Sequence, residues 1–155
     1  MIIRSMLAIA VLAVGVTAVV AQSDPIATRR AAMKAVGDQN RIATEMIEAK
    51  RPFSAADAKK VLATFNDSAS KLSNLFPDNS KTGDTDASPK IWSARAEFNA
   101  AIDTFIATAK TAAATIKDEA TFKAEYPKVV RSCGGCHKDA DGFSPRLADS
   151  FKKMK

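Results

Sequence analysis

The 155-residue chain has few of the side chains from which metal and catalytic sites are usually built: one histidine, two cysteines, one tryptophan and one tyrosine. A structural zinc site needs about four cysteine, histidine or carboxylate ligands, so the single histidine and the two cysteines are too few. The carboxylates are scattered along the chain and form no pair suited to acid–base work. This scarcity argues against a zinc site and gives no support for an enzyme.

Long apolar runs are also lacking, with one exception near the N-terminus. An uncharged run extends from Met6 to Val20 after Arg4, and the small residues of Val19-Val20-Ala21 suit a signal peptidase. A membrane anchor is the alternative, but about 15 residues are short for a span of about 20. We therefore predict a secretory signal peptide over residues 1–21, cleavage before Gln22, periplasmic localisation and no stable membrane anchor.

The basic residues show no clustering, although the formal net charge is +6. Lysines are spread over the whole chain, which is typical of a solvated surface and not of a nucleic-acid footprint. We expect no nucleic-acid partner. A patch that docks an acidic redox partner is compatible with this charge, but the sequence does not locate it.

The two cysteines and the histidine lie together as Cys133-Gly134-Gly135-Cys136-His137. C-x-x-C-H is the attachment signature of a c-type haem. Two thiols add across the vinyl groups of the haem, one helical turn gives the sulfurs the required spacing, and the histidine offers an imidazole nitrogen to the iron. Glycines at both intervening positions would leave the backbone bare against the porphyrin. We predict one covalently attached haem c, bound through Cys133, Cys136 and His137.

Two other interpretations of the motif explain less. A thioredoxin-type redox pair would open a helix inside a βαβ unit, and no such pattern is present. A structural disulfide would leave the adjacent histidine unexplained. With His137 under the iron, no second histidine remains for peroxidase-type acid–base chemistry, so we predict that the protein is not an enzyme.

Helical periodicity covers the chain from residue 25 to the haem motif, and no strand pattern is present. Capping residues and prolines divide it into four helices. We predict the first helix from Pro25 to Arg51-Pro52 and the second from the cap Ser54 to Pro77. The third is predicted from Ser88-Pro89 to Ile116 and the fourth from the cap Asp118 to Cys136. Pro127 should kink or divide the last helix. The prediction is an all-α, antiparallel four-helix bundle over residues 22–155, with the haem near the end of the last helix. The conformation of the tail, 138–155, stays open.

Four segments, in order, resemble the class II cytochromes c, which comprise cytochrome c′ and the low-spin cytochrome c-556 type. They are Arg29 to Gly37, Leu75-Phe76-Pro77, Ser88 to Trp92, and the C-x-x-C-H motif itself. The resemblance implies a haem-binding bundle that is a monomer or a homodimer and exchanges electrons with an unidentified redox partner protein. In the family an aromatic and a basic residue follow shortly after the haem histidine, and here Phe143 or Arg146 could take those places.

The resemblance also implies roles for three further residues. Met33 falls on the position that faces the iron, Arg29 on a position near a haem propionate, and Trp92 on a position against the porphyrin edge. The alternatives are a solvated surface arginine for Arg29 and ordinary core packing for Trp92.

The sixth position on the iron decides between two functions, because a vacant position binds small gases and a His/Met pair carries electrons. Met33, Met46 and Met154 follow the leader. Met33 and Met46 are separated by about 140° around a helix, so they cannot both face the haem. Since the segments look closer to the low-spin type, we expect a His137/Met33 electron carrier. The alternative is a five-coordinate protein that binds nitric oxide or carbon monoxide, in which Met33 only fills the core.

Overall fold

The computed structural model describes residues 24–137 and 142–143, and these residues contain helices and no strand. The α-helices are α1 (Pro25–Ile47), α2 (Ala55–Leu72), α3 (Lys90–Ser93), α4 (Arg95–Thr115) and α5 (Glu119–Cys133). The long helices α1, α2, α4 and α5 form the predicted antiparallel four-helix bundle, in which α1 packs on α2, α2 on α4 and α4 on α5. The all-α prediction is confirmed.

None of the helices within the described ranges is long and apolar enough to cross a membrane. The predicted signal peptide, 1–21, lies outside those ranges, as does most of the tail.

Three of the predicted helix starts are held by side-chain caps. The Asp24 carboxylate accepts a hydrogen bond from the Ile26 backbone N–H at 2.8 Å, and Pro25 occupies the first turn of α1. Ser54 caps α2, and Asp118 caps α5 in a reciprocal capping box. Each cap satisfies a backbone N–H that has no partner inside its helix. Local sequence therefore sets where these helices begin.

The predicted third helix is interrupted, which corrects the expectation of one helix from Ser88-Pro89 to Ile116. Ala94 has φ −124° and ψ 50°, outside the helical region, and it separates α3 from α4. The interruption accompanies a tertiary contact. The Trp92 indole N–H and the Arg95 guanidinium both donate to the Phe76 carbonyl oxygen, at 3.0 and 2.6 Å. Two donors three positions apart therefore bind one acceptor from the two sides of the interruption.

The last helix keeps its continuity through Pro127. The sequence predicted a kink or a division there, but α5 is not divided and runs from Glu119 to Cys133. Phe122, Tyr126 and Val129 are fully buried on its inner face. Their packing outweighs the loss of one backbone hydrogen bond at the proline.

The apolar core has two parts, which meet at the end of the bundle where α5 finishes. The main cluster fills the space between the four long helices and is centred on Phe65, Ala109 and Tyr126. A second cluster consists of Phe76, Ile91, Phe98, Ile102 and Phe143. It packs against Cys136, just beyond α5, and borders the open cavity described below.

One buried hydrogen bond ties the first and last long helices together inside the main cluster. The Tyr126 hydroxyl donates to Asn40 Oδ1 at 2.7 Å, and neither residue has any exposed surface. Burial raises the pKa of Tyr126 well above its ordinary value, since the phenolate would be poorly solvated. The bond therefore fixes the position of α1 against α5.

Replacing Tyr126 with Phe should lower the free energy of unfolding by about 1–3 kcal/mol, because a buried acceptor on Asn40 loses this donor. Urea unfolding of the purified protein measures the change. The Tyr126→Phe/Asn40→Leu double variant should be less destabilised than the sum of the two single variants, since it leaves neither half of the bond behind. Strict additivity would contradict the coupling.

Candidate functional site

The C-x-x-C-H motif continues the backbone pattern of α5 beyond its last residue. The Cys136 and His137 amides both donate to the Cys133 carbonyl, at 3.2 and 3.0 Å. The two cysteines are therefore one turn apart, as expected for thiols that must reach two vinyl groups. The motif stands at the boundary between the two parts of the core: Cys133 packs against the main cluster and Cys136 against the second.

Gly135 lies between its own turn and the neighbouring helix α4. A Cβ built there would lie 3.2 Å from the Ser132 carbonyl oxygen and 3.5 Å from the Ala101 side chain of α4. The tight contact is therefore with the preceding turn, and the contact with Ala101 is an ordinary van der Waals distance. The predicted contact of this glycine with a porphyrin stays a prediction.

The two thiols are free of disulfide bonding and largely shielded from solvent. Burial raises the pKa of Cys133 to about 12, with a further contribution from Cys136, and raises the pKa of Cys136 to about 11. Both groups are therefore neutral thiols near pH 7. Thiol–disulfide exchange proceeds through the thiolate, so these surroundings do not suit a redox-active pair.

An open cavity of about 260 Å³ lies beside the motif. His137 and Cys136 form part of its wall, Met33 belongs to the α1 part, and the remainder is mostly apolar. The other lining residues are Arg29, Arg30, Leu72, Phe76, Asp84, Thr85, Asp86, Ala87, Ile91, Phe98 and Phe143.

The residues of this cavity fit a covalently held haem. An apolar wall suits a flat macrocycle, two thiols one turn apart suit its two vinyl groups, and His137 would offer an imidazole nitrogen to the iron. Within residues 24–137 and 142–143, no three histidine, cysteine or carboxylate side chains converge to hold a metal ion. Among those residues, His137 carries the imidazole nitrogen that is available as a ligand.

Met33 and Met46 lie in different surroundings, as the helical spacing predicted. Met33 is partly buried and lines the cavity, whereas Met46 is 1 % exposed in the main cluster. The Met46 sulfur accepts a hydrogen bond from the Ser54 amide at 3.4 Å, which connects the end of α1 with the start of α2. Met46 is therefore a core residue, and Met154 lies outside the described residues. Met33 is the described methionine that shares a cavity with His137.

Phe143 lines the cavity together with His137. The sequence could not assign this aromatic residue, because Phe143 lies further along the chain from the C-x-x-C-H motif than the aromatic residue of the family does. Its amide donates to the Cys136 carbonyl, and its carbonyl accepts from the Ser88 amide, both at 3.0 Å. The ring packs edge-to-face on Phe98 with a centroid separation of 5.2 Å. Phe143 thus lies against the motif, and Arg146 lies outside the described residues.

Arg29 is buried and holds the segment that follows α2. Its two terminal nitrogens donate four hydrogen bonds, to Leu75 O at 3.1 Å, Ser80 Oγ at 2.9 Å, Ser80 O at 3.1 Å and Thr85 Oγ1 at 2.7 Å. The guanidinium also lies 4.6 Å from the centre of the Phe76 ring. Burial lowers the pKa of Arg29, and Asp24 partly offsets this effect. The alternative of a solvated surface arginine is wrong, and its predicted role toward a propionate stays a prediction.

Trp92 lies behind the cavity wall. Its ring packs edge-to-face on Phe76, 5.8 Å between centroids, and its N–H donates to the Phe76 carbonyl. Trp92 is partly buried and does not belong to the residues that line the cavity. It supports Phe76, and its predicted contact with the porphyrin edge stays a prediction.

The rim of the cavity carries charged residues that sequence reasoning missed. Arg30 donates from one terminal nitrogen to both the carboxylate and the backbone carbonyl of Asp84, and Asp86 lines the same rim. In the sequence, Asp84 and Asp86 belong to a polar loop without periodicity, and nothing local shows that this loop folds over α1. Arg29 determines that path, since it binds Ser80 and Thr85 in the loop.

Comparison with known proteins agrees with this geometry. The profile of the cytochrome c′ family matches residues 24–139. Cytochrome c′ of Rhodopseudomonas palustris is 42 % identical over 121 residues, which cover 77 % of this chain and 83 % of that protein. Cytochrome c-556 of the same organism is 30 % identical over 142 residues, covering 88 % of this chain and 95 % of that protein. A solved structure of the Rhodopseudomonas palustris cytochrome c′ superposes with a TM-score of 0.75 at 39 % identity, covering 82 % of this chain and 100 % of the other.

Replacing Arg29 with Gln should loosen the segment from residue 75 to residue 85, because several acceptors lose a charged donor. We expect a loss of at least about 2 kcal/mol in the free energy of unfolding. Hydrogen exchange should show weaker protection of the Ser80 amide, which is bonded to the Pro77 carbonyl, and of the Ala87 amide, which is bonded to Thr85 Oγ1. Lys34→Gln is the control, because Lys34 is exposed and pairs only with Asp38 among the described carboxylates. Equal protection in both variants would contradict a holding role for Arg29.

Proposed function

Because the chain belongs to the cytochrome c′ family, a group of monohaem class II cytochromes, we propose that it is a periplasmic electron carrier whose haem iron is held between His137 and Met33. A bound haem supplies an iron that changes oxidation state by one electron. The observation that carries the proposal is that the side chains of His137 and Met33 line one cavity. Cys133 and Cys136 hold the haem c covalently.

The protein contributes ligands and exclusion of water to this chemistry. A thioether from Met33 favours ferrous iron and raises the reduction potential. Phe76, Phe98 and Phe143 surround the cavity with apolar surface, which also disfavours the extra charge of the ferric state. His137 follows the end of α5 and Met33 lies in the first half of α1, two helices whose separation the bundle packing maintains. Fast single-electron exchange requires that the ligands of the iron move little between its two oxidation states.

A second function, binding of nitric oxide or carbon monoxide at a five-coordinate iron, has one observation in its favour. The identity to the Rhodopseudomonas palustris cytochrome c′ is 42 %, against 30 % to cytochrome c-556. This runs against the expectation that the chain looks closer to the low-spin type. In this case Met33 would be a packing residue of the cavity wall.

The Met33→Leu and Met46→Leu pair distinguishes the two functions, because both variants keep the side-chain volume and remove one sulfur. The oxidised wild type should show the near-infrared charge-transfer band of methionine-bound ferric haem, and carbon monoxide should bind slowly. Met33→Leu should lose that band, become high-spin and take up carbon monoxide at once. Met46→Leu should keep the wild-type spectrum. A wild type that is high-spin from the start would refute Met33 ligation, and immediate uptake of carbon monoxide by that wild type would favour the gas-binding alternative.

We also propose that the chain is exported with removal of residues 1–21. The support is the single leader charge, the apolar run and the small residues before Gln22. N-terminal sequencing of the protein recovered from a periplasm with haem-attachment machinery should begin within a residue or two of Gln22. A membrane-bound product that retains Met6 to Val20 would mean that the segment is an anchor.

A further inference from the structure

We propose that the end of the bundle opposite the haem cavity docks on the anionic surface of a lipid bilayer through exposed lysines, so that the cavity faces away from the membrane. This end, called the base, consists of residues 41–60 and 110–123. The inference goes beyond electron transfer or gas binding and does not depend on whether Met33 ligates the iron. It describes reversible binding by charge, and not an anchor.

The base brings together four segments that are distant in the sequence. It contains the end of α1, the start of α2, the end of α4 and the start of α5. The connection after α1 is held against α5, because the centroids of the Phe53 and Phe122 rings are 5.5 Å apart. The residues that line the haem cavity come from the opposite ends of these helices and from the segments beyond them. The base and the cavity therefore lie at opposite ends of the bundle.

The described part of the chain has its net positive charge at the base. The base carries eight basic and five acidic residues, a net charge of +3, whereas the other described residues comprise nine basic and nine acidic ones. The two propionates of a bound haem would add negative charge at the cavity end only. The excess of positive charge, which shows no clustering along the sequence, is therefore placed by the fold at one end of the molecule.

Four lysines of the base are exposed and form no ion pair with any residue of the described ranges. They are Lys59, Lys60, Lys110 and Lys117. The five carboxylates of the base are taken by its other four basic residues and by the cap of α5. The four lysines can therefore approach an anionic surface without breaking an ion pair inside the protein.

The chemistry and the position of the base fit a membrane surface better than a redox protein. Protein interfaces are enriched in aromatic residues and arginine and depleted in lysine, whereas the unpaired cations of the base are all lysines. The 21 residues of α4 extend over about 30 Å, so a redox protein bound at the base would be held far from the iron. An anionic bilayer attracts each lysine near its surface by charge alone, without a shaped site. Docking there leaves the cavity end open to redox partners or gases.

The test measures binding of the purified haem protein to sedimented vesicles at low ionic strength, with the haem absorbance as the signal. The wild type should bind vesicles of phosphatidylglycerol and phosphatidylcholine in equal parts, and should not bind vesicles of phosphatidylcholine alone. Binding should be lost at about 1 M salt, where charges are screened within about 3 Å. The base variant, Lys59→Gln/Lys60→Gln/Lys110→Gln/Lys117→Gln, should bind the anionic vesicles at least about tenfold more weakly, because it loses the unpaired charges.

The matched control is Lys34→Gln/Lys71→Gln/Lys81→Gln/Lys128→Gln. These four lysines are exposed, lie outside the base and the cavity wall, and each pairs with a carboxylate three or four positions away. The control therefore has the same net charge as the base variant, and it should bind the anionic vesicles nearly as tightly as the wild type. The tail, which lies outside the described residues, is the same in every variant.

Equal weakening in the two variants would mean a general charge effect and overturn the proposal, as would unchanged binding of the base variant. A wild type that binds neither kind of vesicle, or both kinds equally, would overturn it too. Binding of the wild type to polyglutamate but not to the anionic vesicles would favour an acidic protein as the partner and refute the membrane. The visible spectrum of the same samples reports the iron ligands separately, so a high-spin wild type would refute Met33 ligation and leave the result for the base standing.

Discussion

A buried guanidinium organises the end of the bundle where the haem cavity lies. Taking the charge of Arg29 out of water is unfavourable unless acceptors surround it. The segment after α2 supplies them: two backbone carbonyls and two hydroxyls from residues 75, 80 and 85. The hydrogen bonds from Arg29 to these acceptors hold the loop folded over the start of α1. The loop then carries Asp84, Thr85 and Asp86 to the cavity, where helical residues alone would leave it open on that side.

The second part of the core depends on the same arrangement. Phe76 follows the first residue that Arg29 binds, and its ring lies under the guanidinium. Its carbonyl receives the donors of Trp92 and Arg95 across the interruption between α3 and α4. The ring contacts Phe98, which in turn contacts Phe143 beside the haem motif. Edge-to-face contacts of this kind fix the relative orientation of the rings. A chain of aromatic contacts therefore connects the loop held by Arg29 with the histidine side of the cavity.

Both parts of the core contribute to the site. The main cluster, which contains the Asn40–Tyr126 bond, packs the long helices together, and Met33 and Cys133 pack against it. The second cluster is smaller and borders an open space. Relatives of both kinds, cytochrome c′ and cytochrome c-556, match the chain over 121 and 142 residues.

The sequence alone determined the helical class, the helix starts at residues 25, 55 and 119, and the haem motif, because each depends on neighbouring residues: a cap, a 3.6-residue period, or a spacing of one turn. The placement of Met33 and Met46 on different faces follows from the same period. The break at Ala94, the burial of Arg29, the charged rim and the entry of Phe143 were decided by the tertiary structure. They depend on contacts between distant residues, such as Arg29 and Ser80, which are 51 positions apart. No local sequence pattern predicts which carbonyl oxygen a buried arginine will bind, because that partner is determined only by the packing of the helices.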